Sequence, residues 1–126
     1  MTPRELLYTK EHEWLRLDGD TGTIGITDHA QKSLGEVVYV ELPKVGDKFD
    51  AGRTFGSVES VKAVSDLFMP VSGEVVAVNE GLGDAPEKIN ETPYSEGWML
   101  RVRLLDKNQT GSLLSADEYD EYTKEE

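Results

Sequence analysis

The sequence contains no cysteine among its 126 residues. A disulfide framework, a thiolate nucleophile, a cysteine zinc site and an iron–sulfur cluster are therefore all excluded. Long apolar runs are missing as well, and no window approaches the length that a bilayer-spanning helix needs. The function must therefore use neither sulfur from the chain's own side chains nor a transmembrane helix.

Basic residues are scarce: 13 lysines and arginines stand against 25 aspartates and glutamates, for a formal net charge of −12. No local cluster of basic residues offsets this charge, and a surface of this sign repels phosphate groups. We therefore expect no nucleic-acid partner and no membrane partner. Proteins with basic patches are better partners, because opposite potentials attract during the encounter.

The amino-terminal segment, MTPRELLYTKEHEW, lacks the basic-then-apolar layout of a signal peptide and is too acidic for a transit peptide. We expect a cytoplasmic protein of bacterial type, or a trimmed chain of the mitochondrial matrix if the source is eukaryotic. The length fits one domain. We expect a single domain over 1–126, with its core over about 8–105.

Short apolar segments separated by glycine-rich turns indicate β-structure. Residues 14–17 and 23–26 are predicted as two strands joined by a tight turn, in which Gly19 supplies a positive φ. A further strand is predicted over 99–104, after an aromatic turn at 93–98. The chain is therefore expected to be mainly β.

Two helices are predicted from their terminal residues. Asp28 is placed to cap the first, with Gln31 three residues later as in a capping box, and Gly35 is suited to end it in the left-handed conformation. Near the carboxyl end, a Ser-x-x-Glu capping box predicts a helix over about 115–123.

An internal repeat divides the chain. The segment GEVVYV at 35–40 recurs as GEVVAV at 73–78, and each copy is followed by a Gly-Asp pair, at 46–47 and at 83–84. The valines indicate strands and the Gly-Asp pairs indicate turns. Two copies are too few for a solenoid. They predict one domain with quasi-twofold symmetry, in which each half supplies strands to two facing sheets.

Between the two copies, FGSVESVKAVSD at 55–66 is predicted to form a hairpin with Lys62 at or near its tip. Most lysines are simply solvated, but this one is presented at the symmetry midpoint between two small neighbours, Ser60 and Ala63. An enzyme can reach such an amine and acylate it. The resulting amide removes the charge and leaves a long neutral arm.

Five segments, in order, carry a family resemblance: YTKEHEWLR, GITDHAQKSLGEVVYVELPKVGD, SVESVKAVSD, PVSGEVVAVNE and NETPYSEGW. Together, over about 8–103, they resemble the H protein family of the glycine cleavage system. The resemblance implies a barrel-sandwich hybrid of the lipoyl/biotinyl-carrier type, mainly β, with short peripheral helices and a C-terminal helix.

The resemblance also implies the site. In that family the lysine of the ESVKA segment carries lipoic acid through an amide, and this lysine corresponds to Lys62. A biotin carrier would have methionines on both sides of it, where this chain has valine and alanine. The expected cofactor-site residues around the lysine are Glu59, Ser60, Val61, Ala63 and His29, with Glu59 interpreted as a recognition residue for the lipoylating enzyme or for a basic patch on a partner.

The implied role is a substrate carrier without catalytic residues of its own. The lipoyl arm carries the aminomethyl group of glycine from glycine decarboxylase (the P protein) to the aminomethyltransferase (the T protein). Dihydrolipoyl dehydrogenase (the L protein) then reoxidises the arm, and a lipoylating enzyme attaches it in the first place. This places the chain in glycine catabolism and one-carbon metabolism.

Two other functions fit parts of the sequence. A lipoyl-relay protein would use the same lysine to pass lipoyl groups to other carriers, and a transfer assay with glycine decarboxylase separates it from the first role. A small hydrolase would use acidic residues instead and would keep its activity in a Lys62→Arg variant. The two histidines, His12 and His29, are interpreted as structural or surface residues, because a metal site needs three or four convergent ligands; the resemblance leaves open a role for the His29 segment in cradling the arm.

Overall fold

The computed structural model describes residues 2–124, and all that follows concerns these residues. The strands are β1 (Leu7–Tyr8), β2 (Glu13–Asp18), β3 (Thr21–Ile26), β4 (Val37–Glu41), β5 (Lys48–Phe49), β6 (Thr54–Ser60), β7 (Val64–Phe68), β8 (Gly73–Val78) and β9 (Leu100–Leu104). The helices are α1 (Asp28–Leu34), α2 (Gly81–Asp84), α3 (Lys88–Glu91) and α4 (Ala116–Lys124), with a 3₁₀ segment at Lys107–Ser112.

The strands form two antiparallel sheets. The larger has the order β1-β2-β3-β9-β8-β5, and the smaller has the order β4-β6-β7. The predictions of a mainly β fold, of short peripheral helices and of a C-terminal helix are confirmed. In the part of the chain that is described, no helix has the length and apolarity needed to cross a membrane. That 1–126 forms a single domain stays a prediction.

The internal repeat corresponds to strands in different sheets. The first copy forms β4 in the smaller sheet and the second forms β8 in the larger one, so each half of the chain supplies strands to both sheets, as predicted. The predicted turn at 46–47 is present: the amide of Asp47 donates to the carbonyl of Lys44 at 3.0 Å, and Gly46 within the turn has φ 99°. The prediction of a turn at 83–84 is wrong: these residues end α2, because the amide of Ala85 donates to the carbonyl of Gly81 and closes a helical turn.

The ends of α1 and the start of α4 agree with the predictions, except for the residue that caps the start of α1. Thr27, not Asp28, is the N-cap of α1: its backbone is extended and its Oγ1 accepts from the amide of Ala30 at 3.2 Å. Asp28 is already helical, and its carboxylate instead accepts from Gln31 Nε2 at 2.8 Å. Gly35 ends α1 with φ 80°, as predicted. The predicted capping box at the start of α4 is also present.

The main core lies between the sheets, and a second cluster covers the outer face of β1 and β2. In this second cluster Trp14 is fully buried, and its indole N–H donates to the carbonyl of Pro93 at 3.0 Å. Tyr119 of α4 stacks on Tyr8 with ring centroids 4.7 Å apart. Burying an aromatic side chain stabilises the fold by roughly 2–3 kcal/mol, so α4 is held firmly on this face. The smaller sheet keeps an exposed outer face.

Candidate functional site

Lys62 lies at the tip of the hairpin formed by β6 and β7, as predicted. The turn is closed by the amide of Ser60, which donates to the carbonyl of Ala63 at 2.8 Å. The buried hydroxyl of Ser60 also accepts from the amides of Lys62 and Ala63, at 3.2 and 3.1 Å. In the sequence, Ser60 is notable only for its small size. In the structure, its hydroxyl fixes the backbone of the turn that contains Lys62.

The side chain of Lys62 is exposed, and within residues 2–124 no ion pair joins its amine to a carboxylate. Its methylenes run over Gly35 at the carboxyl end of α1: a Cβ added at Gly35 would lie 3.4 Å from Cε and 3.9 Å from Nζ. The amine is therefore open to an outside enzyme, while the stem of the side chain rests on a fixed backbone.

A cleft of about 170 Å³ separates α1 from the hairpin. Its floor is apolar and its rim is polar. The floor and α1 wall comprise Ile26, Ala30, Leu34, Val58 and Leu67, and the polar residues are Glu11, His12, Ser33, Ser65 and Asp66. Such a cleft suits an alkyl chain that ends in a polar or cationic group. No sequence pattern indicated it, because its walls come from four separate segments.

Glu13 is a buried carboxylate beside this cleft. It follows His12 in sequence and is 1 % exposed. Its Oε1 accepts from the hydroxyl of Thr9 at 2.6 Å, and its Oε2 accepts from the amide of Phe68 at 3.2 Å. Burial raises the pKa of Glu13 to about 7. No sequence pattern distinguishes Glu13 from other glutamates, because a glutamate in a strand is ordinarily exposed.

The two histidines lie together. Their ring centroids are 4.6 Å apart, and His12, which has φ 71°, bonds through Nδ1 to the hydroxyl of Tyr119 at 2.8 Å. That hydroxyl also bonds to Thr27 at 2.7 Å. His12 lines the cleft, whereas His29, on α1, lines a separate pocket together with Tyr119. Within residues 2–124, no group of three or more histidine, aspartate or glutamate side chains is arranged to bind a metal ion.

The outer face of the smaller sheet surrounds the tip with exposed apolar side chains. Tyr39, Glu59 and Val64 form one row across the three strands. We call the apolar residues around Lys62 the tip surface; they are Val38, Tyr39, Val61 and Val64, exposed by 44, 57, 67 and 67 %. Glu59 lies within this surface, and further exposed acidic residues border it: Glu36, Glu41 and Asp66. A large exposed apolar patch with a polar border is typical of a docking surface.

Comparison with known proteins gives a consistent result. The family model described as glycine cleavage H-protein matches residues 6–126. The glycine cleavage system H protein of Rubrobacter xylanophilus is 58 % identical, over 98 % of this chain and 96 % of the relative. That of Carboxydothermus hydrogenoformans is 52 % identical, over 100 % of this chain and 97 % of the relative. The crystal structure of a glycine cleavage system H protein from Mycobacterium marinum superposes with a TM-score of 0.90 at 40 % identity, covering 97 % of this chain and 98 % of that one.

Proposed function

This chain belongs to the glycine cleavage H-protein family, and from that premise we propose that Lys62 is the residue that carries its lipoyl group. Proteins of this family are carriers rather than enzymes, their lipoate is attached covalently to a lysine, and their fold is the barrel-sandwich hybrid. The resemblance noted in the sequence is thereby confirmed. It favours glycine cleavage over both the lipoyl-relay and the hydrolase alternatives.

One observation carries the assignment to Lys62: its amine is exposed on a turn whose backbone is held by Ser60. An acylating enzyme needs a lysine that it can enclose without unfolding the carrier. Lys62 meets this need because its neighbours Val61 and Ala63 are exposed as well. The residues present at the tip therefore fit a covalently attached lipoyl group.

When bound, the lipoyl group supplies a disulfide that accepts and releases the aminomethyl group of glycine. The protein chain itself contributes only the position of the lipoyl group. From bond lengths, a lysine extended by a lipoyl chain reaches about 14 Å from the backbone. Such a reach allows one carrier to serve separate active sites in turn.

The cleft beside α1 supports the proposal that the lipoyl arm binds to the carrier's own surface between its reactions at the partner enzymes. Its floor of Ile26, Val58 and Leu67 matches an alkyl chain, and the carboxylates of Glu11 and Asp66 on its rim match a cationic amine. Water excluded from this cleft cannot attack whatever it holds. We therefore assign to the cleft the protection of the arm's cargo from hydrolysis.

The partners are enzymes of the glycine cleavage system. Within it we propose glycine decarboxylase, the aminomethyltransferase and dihydrolipoyl dehydrogenase as the three enzymes visited, with a lipoylating enzyme acting before them. The acidic residues in and around the tip surface, including Glu59, favour active-site entrances lined by basic residues. We also propose a cytoplasmic location, because the relatives named above are bacterial; they lend no support to the mitochondrial matrix.

The test is lipoylation of the purified chain by a lipoylating enzyme, followed by intact-protein and peptide mass spectrometry. We expect one lipoyl increment on the peptide that contains Lys62, and none in a Lys62→Arg variant. Lys44→Arg is the matched control, because Lys44 is also an exposed loop lysine, and it should keep the increment. An increment that survives in Lys62→Arg would overturn the assignment.

A further inference from the structure

The side chain of Asn90, in the four-residue helix α3, makes three hydrogen bonds to residues that are distant in sequence. On α3, its Oδ1 accepts from the amide of Val37 at 2.9 Å. Its Nδ2 donates to the carbonyl of Gly35 at 2.8 Å and to Oε1 of Gln31 at 3.0 Å. These three partners lie 53 to 59 residues away in sequence. One amide therefore joins α3 to the carboxyl end of α1 and to the first residue of β4.

The segment that Asn90 holds, residues 35–37, is also the segment that touches the hairpin tip. Gly35 lies under the side chain of Lys62. The carbonyl of Glu36 accepts from the amide of Val61 at 3.0 Å, and Val37 is the register partner of Ser60. Each residue of the segment thus contacts the tip, and the tip's position follows that of the segment.

Asn90 is itself fixed to the main core. The residue before it, Ile89, is fully buried between the sheets, so the backbone of α3 cannot shift without disturbing core packing. A continuous line of contacts therefore runs from the core through Asn90 and residues 35–37 to Lys62. Polar networks of this kind specify one arrangement when every member is bonded.

We propose that Asn90 is a positioning residue for the acylation of Lys62. It does not touch the reacting amine; it holds residues 35–37, and these hold the tip in the form that the lipoylating enzyme binds. Without Asn90 the hairpin still forms, because its turn is closed by Ser60. The tip then moves relative to α1, and the enzyme must order it on binding, at a cost in affinity. This inference rests on the proposed attachment of lipoate to Lys62.

The experiment compares two asparagines. Asn90→Ala removes the three bonds, and Asn90→Asp keeps the shape and the acceptor for Val37 but loses both donors. Asn79→Ala is the matched control, since Nδ2 of Asn79 likewise donates two hydrogen bonds, in this case to the backbone carbonyls of Glu96 and Trp98, which lie away from the tip. Each chain is assayed for lipoylation kinetics and, unmodified, for hydrogen exchange at the amide of Val61.

We expect both Asn90 variants to raise the KM of the lipoylating enzyme by about 5- to 10-fold, with kcat within about 2-fold of the wild type, because the loss lies in ordering the tip. The Val61 amide should exchange faster in both, although neither substitution removes its own acceptor. Asn79→Ala should match the wild type in KM and in Val61 exchange, whatever its effect on overall stability.

Wild-type KM and wild-type Val61 exchange in a folded Asn90 variant would overturn the proposal. An equal effect in Asn79→Ala would overturn it too, because a general loss of stability would then explain the result. If Asn90→Ala does not fold, the KM and the Val61 exchange of the isosteric Asn90→Asp variant test the proposal. A wild-type chain that takes no lipoyl group would refute the proposed function instead, and Val61 exchange would then decide the positioning role alone.

Discussion

Lys62 rests directly on Gly35: a Cβ at Gly35 would lie 3.4 Å from the Cε of the lysine. Gly35 is the residue that ends α1, so the ammonium stands near the carboxyl end of a helix, where the backbone dipoles favour positive charge. Acylation makes the nitrogen a neutral amide and removes this attraction. We therefore expect this contact to hold the free lysine against the protein and to weaken once the nitrogen is acylated.

Gly35→Ala tests this contact. A non-glycine residue at φ 80° is strained, so the free energy of unfolding should fall by about 1–2 kcal/mol, and relief of this strain should shift the backbone under Lys62 and slow its lipoylation. Gly52→Ala is the control, because Gly52 also has a positive φ but open space around it. Urea unfolding should show similar losses for both variants, whereas slower lipoylation is expected for Gly35→Ala alone. Equal lipoylation rates would contradict the role of the contact.

Ser60→Ala tests how the tip is held. The hydroxyl of Ser60 accepts from two backbone amides, so its loss leaves the amides of Lys62 and Ala63 without this acceptor. We expect a loss of about 1 kcal/mol in stability and faster hydrogen exchange at both amides, measured by NMR. Ser57→Ala, a change on the same strand, should leave that exchange as it is. Unchanged exchange in Ser60→Ala would show that the hairpin holds the tip without this hydroxyl.

Glu13→Gln tests the buried carboxyl group beside the cleft. Burial raises its pKa from 4.5 to about 7, so between these pH values the folded chain keeps a proton that the unfolded chain has released. The stability that this group contributes is complete below pH 4.5 and is lost as the pH rises through about 7.

Glutamine imitates the protonated acid at every pH. The free energy of unfolding of the wild type relative to Glu13→Gln should therefore fall by about 2–3 kcal/mol between pH 4.5 and pH 8. Urea unfolding curves across this range provide the measurement. Parallel stability profiles for the two proteins would show that Glu13 ionises in the folded chain at its ordinary pKa and that burial does not raise it.

Glu59→Lys tests the negative charge of the tip surface. Glu59 is exposed in the central strand of the smaller sheet, between Tyr39 and Val64. Reversing its charge should slow association with the lipoylating enzyme and with each enzyme of the system by about 10-fold at low salt, and added salt should reduce the difference. Glu121→Lys makes the same charge change on α4 and should leave the association rate near that of the wild type. Equal rates for the two variants in stopped-flow mixing would mean that the negative charge of the tip surface does not steer the partners.

The local features of this fold could be predicted because each depends on residues close together in sequence. The hairpin that bears Lys62 follows from a short β-branched segment with a small-residue turn, and the end of α1 follows from Gly35. The two errors are also local. Thr27 caps α1 one residue before the predicted Asp28, since either residue type suits an N-cap, and residues 83–84 continue a helical turn in a motif that equally suits a β-turn.

The sequence by itself determined which lysine stands at the tip and which family the chain belongs to, because a turn and a motif are properties of neighbouring residues. Only the tertiary structure decided the cleft beside α1, the burial that raises the pKa of Glu13, and the bonds from Asn90 to residues 35–37. Each of these depends on groups that are distant in the chain and meet only after both sheets have packed. Their geometry and local dielectric are properties of that packing, and no short stretch of sequence contains them.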